Sequence, residues 1–241
     1  MMSLHRGRFL QAAAVLPLAA GCWVSEEKTV MMPSIEVGSD LRIGRLPLLT
    51  KLRELESQIV ERFPGRQQGL DVVGLNLRLH YPHGGYFNTP TNSRMFAETL
   101  GDGTHFSLLV EDVIDESLPV IMTMPAYGAN VIVARNVSDF LRFGLIRGYF
   151  QMEQIGYNPK HALDAYNDAN WHCPADRNPP LDFSIDARER AILDFIAEKL
   201  NLQPLVQSAE VMQQMQDGFL PRLQFKERHS SITVQFVGTE K

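Results

Sequence analysis

Cysteine is scarce in this chain: only Cys22 and Cys173 occur among 241 residues, so no disulfide framework holds the fold. Cys-x-x-Cys, His-Glu-x-x-His and acidic calcium-loop spacings are missing, which excludes the recognisable metal centres, and no cofactor is expected. No basic stripe is present either. Lys and Arg number 23 against 28 Asp and Glu, a net charge of -5, and their scatter argues against a nucleic-acid binder. Gly84-Gly85 and the glycines of 101–103 make no phosphate loop, because neither pair leads from a strand into a helix with a lysine behind it. Repeats and low-complexity tracts are absent. What remains is an ordinary globular composition, 44% hydrophobic, long enough for one substantial core.

The N-terminus has the parts of a secretory signal. Arg6 and Arg8 supply the positive region, and residues 9–20 form an apolar segment shorter than the roughly 20 residues that span a bilayer. Leu18-Ala19-Ala20-Gly21-Cys22 resembles a bacterial lipoprotein box, with Ala19 standing where that family usually has leucine. The resemblance implies cleavage before Cys22, a diacylglycerol on its thiol and a place in the cell envelope, membrane contact being through that anchor alone. Arg6-Gly7-Arg8-Phe9-Leu10 is similar to a twin-arginine export signal, but Gly7 splits the pair. The alternative is translation from Met31 or Met32, which makes the chain cytoplasmic. The expected organisation is a signal segment over 1–22, a linker over 23–40 and one domain over 41–241.

Within that domain, Leu48, Leu52, Leu55, Ile59 and Phe63 recur at intervals of three and four, which predicts a helix over 46–63 ended by Pro64-Gly65. Leu75, Leu77 and Leu79 alternate with polar residues and predict a strand. Residues 95–99 and 105–110 flank Gly101-Asp102-Gly103, a hairpin signal, and the apolar runs at 119–124 and 130–134 predict central strands. Ser138 reads as the N-cap of a helix reaching Gly148. Residues 157–180 read as loop with a short helix at 159–165. Ser184 or Asp186 caps a helix through Leu200, Ser208 opens another ended by Gly218, and Ile232, Val234 and Phe236 alternate as a terminal strand at the sheet edge or against 223–225. The fold class expected is α+β: a mixed, mostly antiparallel sheet flanked by helices in a single domain.

Chemistry is sparse in this pattern. Asp102 and His105 on a tight turn could act as acid and base in a hydrolase, though Asp-Gly is also what a hairpin demands. His80 and His83 could meet one metal with His161 or His172, but surface histidines fit the sequence as well. His172-Cys173 has no third group to orient it as a nucleophile. Met212 and Met215 read as core filling. Glu111, Asp112, Asp115 and Glu116 form an acidic run, either a solvated loop or a docking patch for a basic partner.

The order GDGTHFSLL, LPVIMTMP and NVIVARNVSDFLRFGL resembles the SMI1/KNR4, or SUKH, superfamily, in which a strand like Ile132-Val133-Ala134-Arg135-Asn136 leads into a helix like Val137-Ser138-Asp139-Phe140-Leu141. The resemblance covers about 46–148, with the helix at 185–200 as a further match. The family's characteristic tryptophan and its glycine-rich stretch have no match, since Trp23 and Trp171 lie outside that region. The resemblance implies a sheet flanked by helices and, for bacterial members, an immunity protein that binds a cognate protein toxin without catalysing a reaction. An envelope lipoprotein with a structural or ligand-binding role is the alternative, and a hydrolase using Asp102 and His105 a second.

Overall fold

The computed structural model describes residues 43–79, 85–168, 183–226 and 232–237. The expected signal segment with Cys22 and the expected linker lie outside the described residues, as do His80, His83, His172 and Cys173. Five strands form one antiparallel meander in sequence order: β1 (Asn76–Leu77), β2 (Ser93–Glu98), β3 (His105–Leu109), β4 (Val120–Met124) and β5 (Ala129–Ala134). Among the described residues six α-helices flank it: α1 (Pro47–Arg62), α2 (Val137–Gly144), α3 (Glu153–Tyr157), α4 (Pro159–Asn167), α5 (Ala187–Leu200) and α6 (Ala209–Phe219). The class is α+β, as the strand and helix periodicities predict.

Strand alternation sorts the sheet into two faces. Phe106, Met122 and Val131 stand opposite one another, and this face is covered by α2, whose Phe140 ring lies 4.8 Å from Phe106 and 5.4 Å from Phe96. Tyr149 and Tyr166 extend the core and satisfy their hydroxyls on backbone, Tyr149 donating to Leu141 O at 3.1 Å and Tyr166 to Gly148 O at 2.9 Å. Helix α3 sits close to the same face because Gly156 has no side chain. A Cβ there would collide with the Met124 sulfur.

Helix α1 buries Leu49, Leu52, Leu55 and Ile59, with Leu48 and Phe63 half-buried at its ends. Pro47 occupies the first turn, where its missing N–H costs nothing. Its N-cap residue Leu46 provides no side-chain acceptor; Glu116 does so instead, its carboxylate accepting from the Leu48 N–H across 68 residues of chain.

Several sequence expectations need correction. The N-cap of α2 is Asn136 and not Ser138: Asn136 is extended and its Oδ1 accepts from Asp139 N at 2.7 Å. Gly218 lies inside α6 and does not end it. The first strand is only two residues long, Asn76 and Leu77 pairing with Glu98 and Ala97, with one further bond from Arg78 N to Phe96 O at 2.7 Å. The short helix expected at 159–165 does form, and α4 runs two residues further, to Asn167. The terminal strand does not form among the described residues. Ile232 makes a single parallel bridge to Ala129, while Val234 and Phe236 are buried without a ladder.

The reason is that α6 already satisfies that edge. Gln216, fully buried, accepts from Ile132 N at 2.8 Å and donates to Ile132 O at 2.9 Å, so one side-chain amide stands in for a neighbouring strand. Gln207 adds a donor to Val133 O at 2.8 Å, and Gln213 accepts from Phe236 N at 2.8 Å.

Candidate functional site

The β2–β3 hairpin is where polar chemistry and exposed surface meet. Thr99 N donates to Thr104 O at 3.0 Å and closes a loop whose tip needs two left-handed residues, Gly103 at φ +89° and Leu100 at φ +64°. Asp102 organises the loop from within, its Oδ1 accepting from Thr104 Oγ1 at 2.7 Å and its Oδ2 from the Tyr157 hydroxyl at 2.8 Å. Burial tends to raise the Asp102 carboxyl, but the bonds from Thr104 and Tyr157 outweigh it and hold the carboxyl below the usual range.

Helix α3 brings a second carboxylate to the same loop. Glu153 is almost fully buried and accepts from the Thr99 hydroxyl. Burial pushes it up to about 7, with Asp102 adding repulsion against the help of Thr99. The Tyr157 hydroxyl is pushed up as well, by burial first and then by its bond to Asp102.

His105 is buried and its partners fix one tautomer. Its Nδ1 lies 2.9 Å from Gly103 O, so Nδ1 carries the proton and donates, leaving Nε2 to accept from the Thr89 hydroxyl at 3.3 Å. Burial pushes its imidazolium down, outweighing the Gly103 carbonyl and Glu98. Strand register then places His105 in a polar row that crosses all five strands: Asn76, Glu98, His105, Thr123 and Asn130 are successive partners. Thr123 donates to Asn130 Oδ1 at 2.7 Å, and Asn130 donates to Asn88 O at 3.0 Å. Asn88 in turn donates to Met124 O at 3.2 Å and Ala129 O at 3.3 Å, which pins the segment from Gly85 onto this end of the sheet.

Around this polar centre stand all the exposed aromatic side chains among the described residues: Tyr86, Phe87, Tyr127, Phe150 and Tyr157. Tyr86 stacks on His105 at 5.7 Å with its hydroxyl against Gly103, Phe150 packs beside Gly101, and Tyr127 meets Tyr157 edge-on at 5.3 Å. Leu100, half exposed, projects from the hairpin tip among them. The result is an apolar, aromatic surface laid over a backbone held by buried hydrogen bonds.

This arrangement brings Asp102 and His105 near in sequence but gives them separate partners, and no hydrogen bond joins them. The Thr99 hydroxyl that faces Glu153 is itself buried. Among the described residues no group of three or more His, Cys, Asp and Glu gathers into a metal site, and His161 is exposed on α4. Met212 and Met215 are buried in the core. The acidic run lies in the β3–β4 connection, at the opposite end of the sheet. Glu111 pairs with Arg222, Asp115 accepts from Ser117 N at 2.7 Å, and Glu116 is the acceptor for α1; Asp112 and Asp115 remain exposed.

Sequence reasoning missed Glu153 and the aromatic rim. Gly-Tyr-Phe occurs twice, at Gly85-Tyr86-Phe87 and Gly148-Tyr149-Phe150, but this repeat alone does not distinguish rim from core, since Phe87 and Phe150 are exposed and Tyr149 is buried. Comparison with known proteins finds no matching family model, no similar curated protein and no similar solved structure.

Proposed function

We propose that this chain is a non-enzymatic protein-binding domain, of the immunity type that its SUKH resemblance implies, with a cognate protein toxin as partner. The observation that carries the reading is the gathering of every exposed aromatic side chain among the described residues around one hairpin. Aromatic anchors supply most of the binding energy at protein interfaces, and they do so best when the free surface is already ordered. Here Glu153 and Asn88 supply that order from beneath, and the exposed Asp102 supplies it within the loop. The net charge of -5 suits a basic partner, drawn in by long-range attraction before the aromatic contacts form.

Co-expression with the toxin-like product of a neighbouring gene tests the reading. The expected outcome is restored growth and co-elution of a complex. Replacing Phe87 and Tyr127 together by Ala is expected to weaken that complex by about a hundredfold, as loss of two anchors does, with the melting temperature nearly unchanged. A complex that tolerates both replacements removes the aromatic end as the docking face. For location, the lipoprotein box supports an envelope anchor at Cys22. Cys22→Ala is expected to move the protein from the membrane to the soluble fraction, and wild-type protein already in the cytoplasmic fraction refutes the anchor.

A further inference from the structure

A second feature shares no residue with the aromatic end. Where the C-terminus of α2 meets the N-terminus of α5, a cavity of about 500 Å³ opens, walled by Leu145, Ile185, Pro204 and Val206. Its size is that of a small-molecule site, and the wall is apolar. Two guanidinium groups line it, Arg147 and Arg190.

Arg147 is buried and forms no ion pair among the described residues. Its Nε donates to Tyr166 O at 3.2 Å, its Nη1 to Phe183 O at 2.6 Å and its Nη2 to Asp168 O. Three acceptors for five N–H groups leave two donors without a partner among the described residues. Arg190 donates to Leu145 O at 3.0 Å and to Ile146 O, with Asp194 at 3.7 Å on its outer side. Burial works against the charge of Arg147, the Asp168 carboxylate offsets part of that, and Arg190 adds repulsion. The carboxylate in the lining, Asp186, is engaged as the N-cap of α5, accepting from Glu189 N at 2.8 Å. Beside them Asn167 donates to Gln207 O at 2.7 Å, while its buried Oδ1 has no partner.

Two crowded cations with spare donors, an amide oxygen waiting for a donor and an apolar wall describe a ligand in complement. We propose that this cavity binds a small amphiphile with one terminal oxyanion and an adjacent hydrogen-bond donor, its anion held by Arg147 and Arg190 and its apolar body against Leu145, Ile185 and Val206. The planar fork of arginine suits a carboxylate or a phosphate monoester equally well. Asn167 Oδ1 accepts from the neighbouring N–H or O–H.

Titration of the full chain with N-hexanoylglycine and with hexyl phosphate, followed by calorimetry and by the methyl resonances of Ile185 and Val206, tests this. At least one of the two is expected to bind, and the tighter one identifies carboxylate or phosphate as the source. Hexanol, which lacks the anion, and inorganic phosphate, which lacks the body, are expected to bind at least about tenfold more weakly. Arg147→Lys keeps the charge but loses the fork, and it also loosens three carbonyl contacts. Val206→Glu is therefore the second variant: Val206 is exposed, the fold tolerates the change, and the added carboxylate should repel the ligand about tenfold or more. Binding of neither amphiphile, equal binding of hexanol or inorganic phosphate, or unchanged binding by Val206→Glu each overturns the proposal.

Discussion

Glu153 and His105 face opposite ways in pH although both are buried in the same end of the sheet. Glu153 has a folded-state value of about 7 against 4.5 for the free side chain, so between these values the folded chain holds a proton that the unfolded chain releases. Stability therefore falls as pH rises from about 4.5 to 7. Glu153→Gln keeps an acceptor for Thr99 and is expected to abolish that slope, making the protein more stable at pH 8 by about 2 kcal/mol. Urea unfolding at pH 5 and pH 8 checks it, and an unaltered slope in the variant refutes the assignment. His105 acts in the other sense. Its imidazolium is disfavoured when folded, so stability is lost as pH falls below the ordinary 6.5. Leu100 supplies a different residue-scale test. Its left-handed backbone at φ +64° costs about 1–2 kcal/mol for a side chain, which glycine avoids at an entropic cost of about 0.5–1 kcal/mol. Leu100→Gly is thus expected to be neutral or slightly stabilising in urea, and a loss above about 1 kcal/mol would show that Leu100 packs rather than merely projects.

At the level of elements, the sheet is managed from outside by side chains. Strand β5 is the last of the meander, and its outer edge is closed by Gln216 and Gln207 in place of a sixth strand. Gln216→Leu keeps the volume but orphans the N–H and C=O of Ile132, at about 1–3 kcal/mol for each buried group. The expected loss is about 2–4 kcal/mol by chemical denaturation, together with a greater tendency to associate through the exposed edge. A loss below about 1 kcal/mol would mean that water or the segment at Ile232 takes over. The helices show which signals were legible. Asp186 and Glu189 form the reciprocal capping box of α5, readable because both groups lie within one turn. The cap of α1 was not readable, since Glu116 reaches it from the β3–β4 connection. The sequence points to Ser138 as readily as to Asn136, because both are good caps two residues apart, and only the extended backbone at Asn136 decides between them.

For the whole molecule, the proposed binding role assigns different work to charge and to aromatic surface. The net charge of -5 acts over distances near the Debye length, whereas the aromatic end acts at contact. Association with a basic partner is expected to slow about tenfold between 0.05 and 0.5 M salt while dissociation stays nearly constant, as stopped-flow and surface-bound kinetics can measure. A salt-independent association rate would remove charge from the mechanism. Periodicity alone determined that α1 and α5 are helices, that residues around His105, Val120 and Asn130 are strands, and that Asp102-Gly103 is a turn, because each of these preferences lies within a few residues of chain. Neighbours that meet across long stretches were a matter for the tertiary structure: Thr99 with Glu153 over 54 residues, the polar row from Asn76 to Asn130, and five aromatic side chains around one loop. Strand register and the seating of α3 against Met124 place them, and both are settled by which faces exclude water when the whole chain packs.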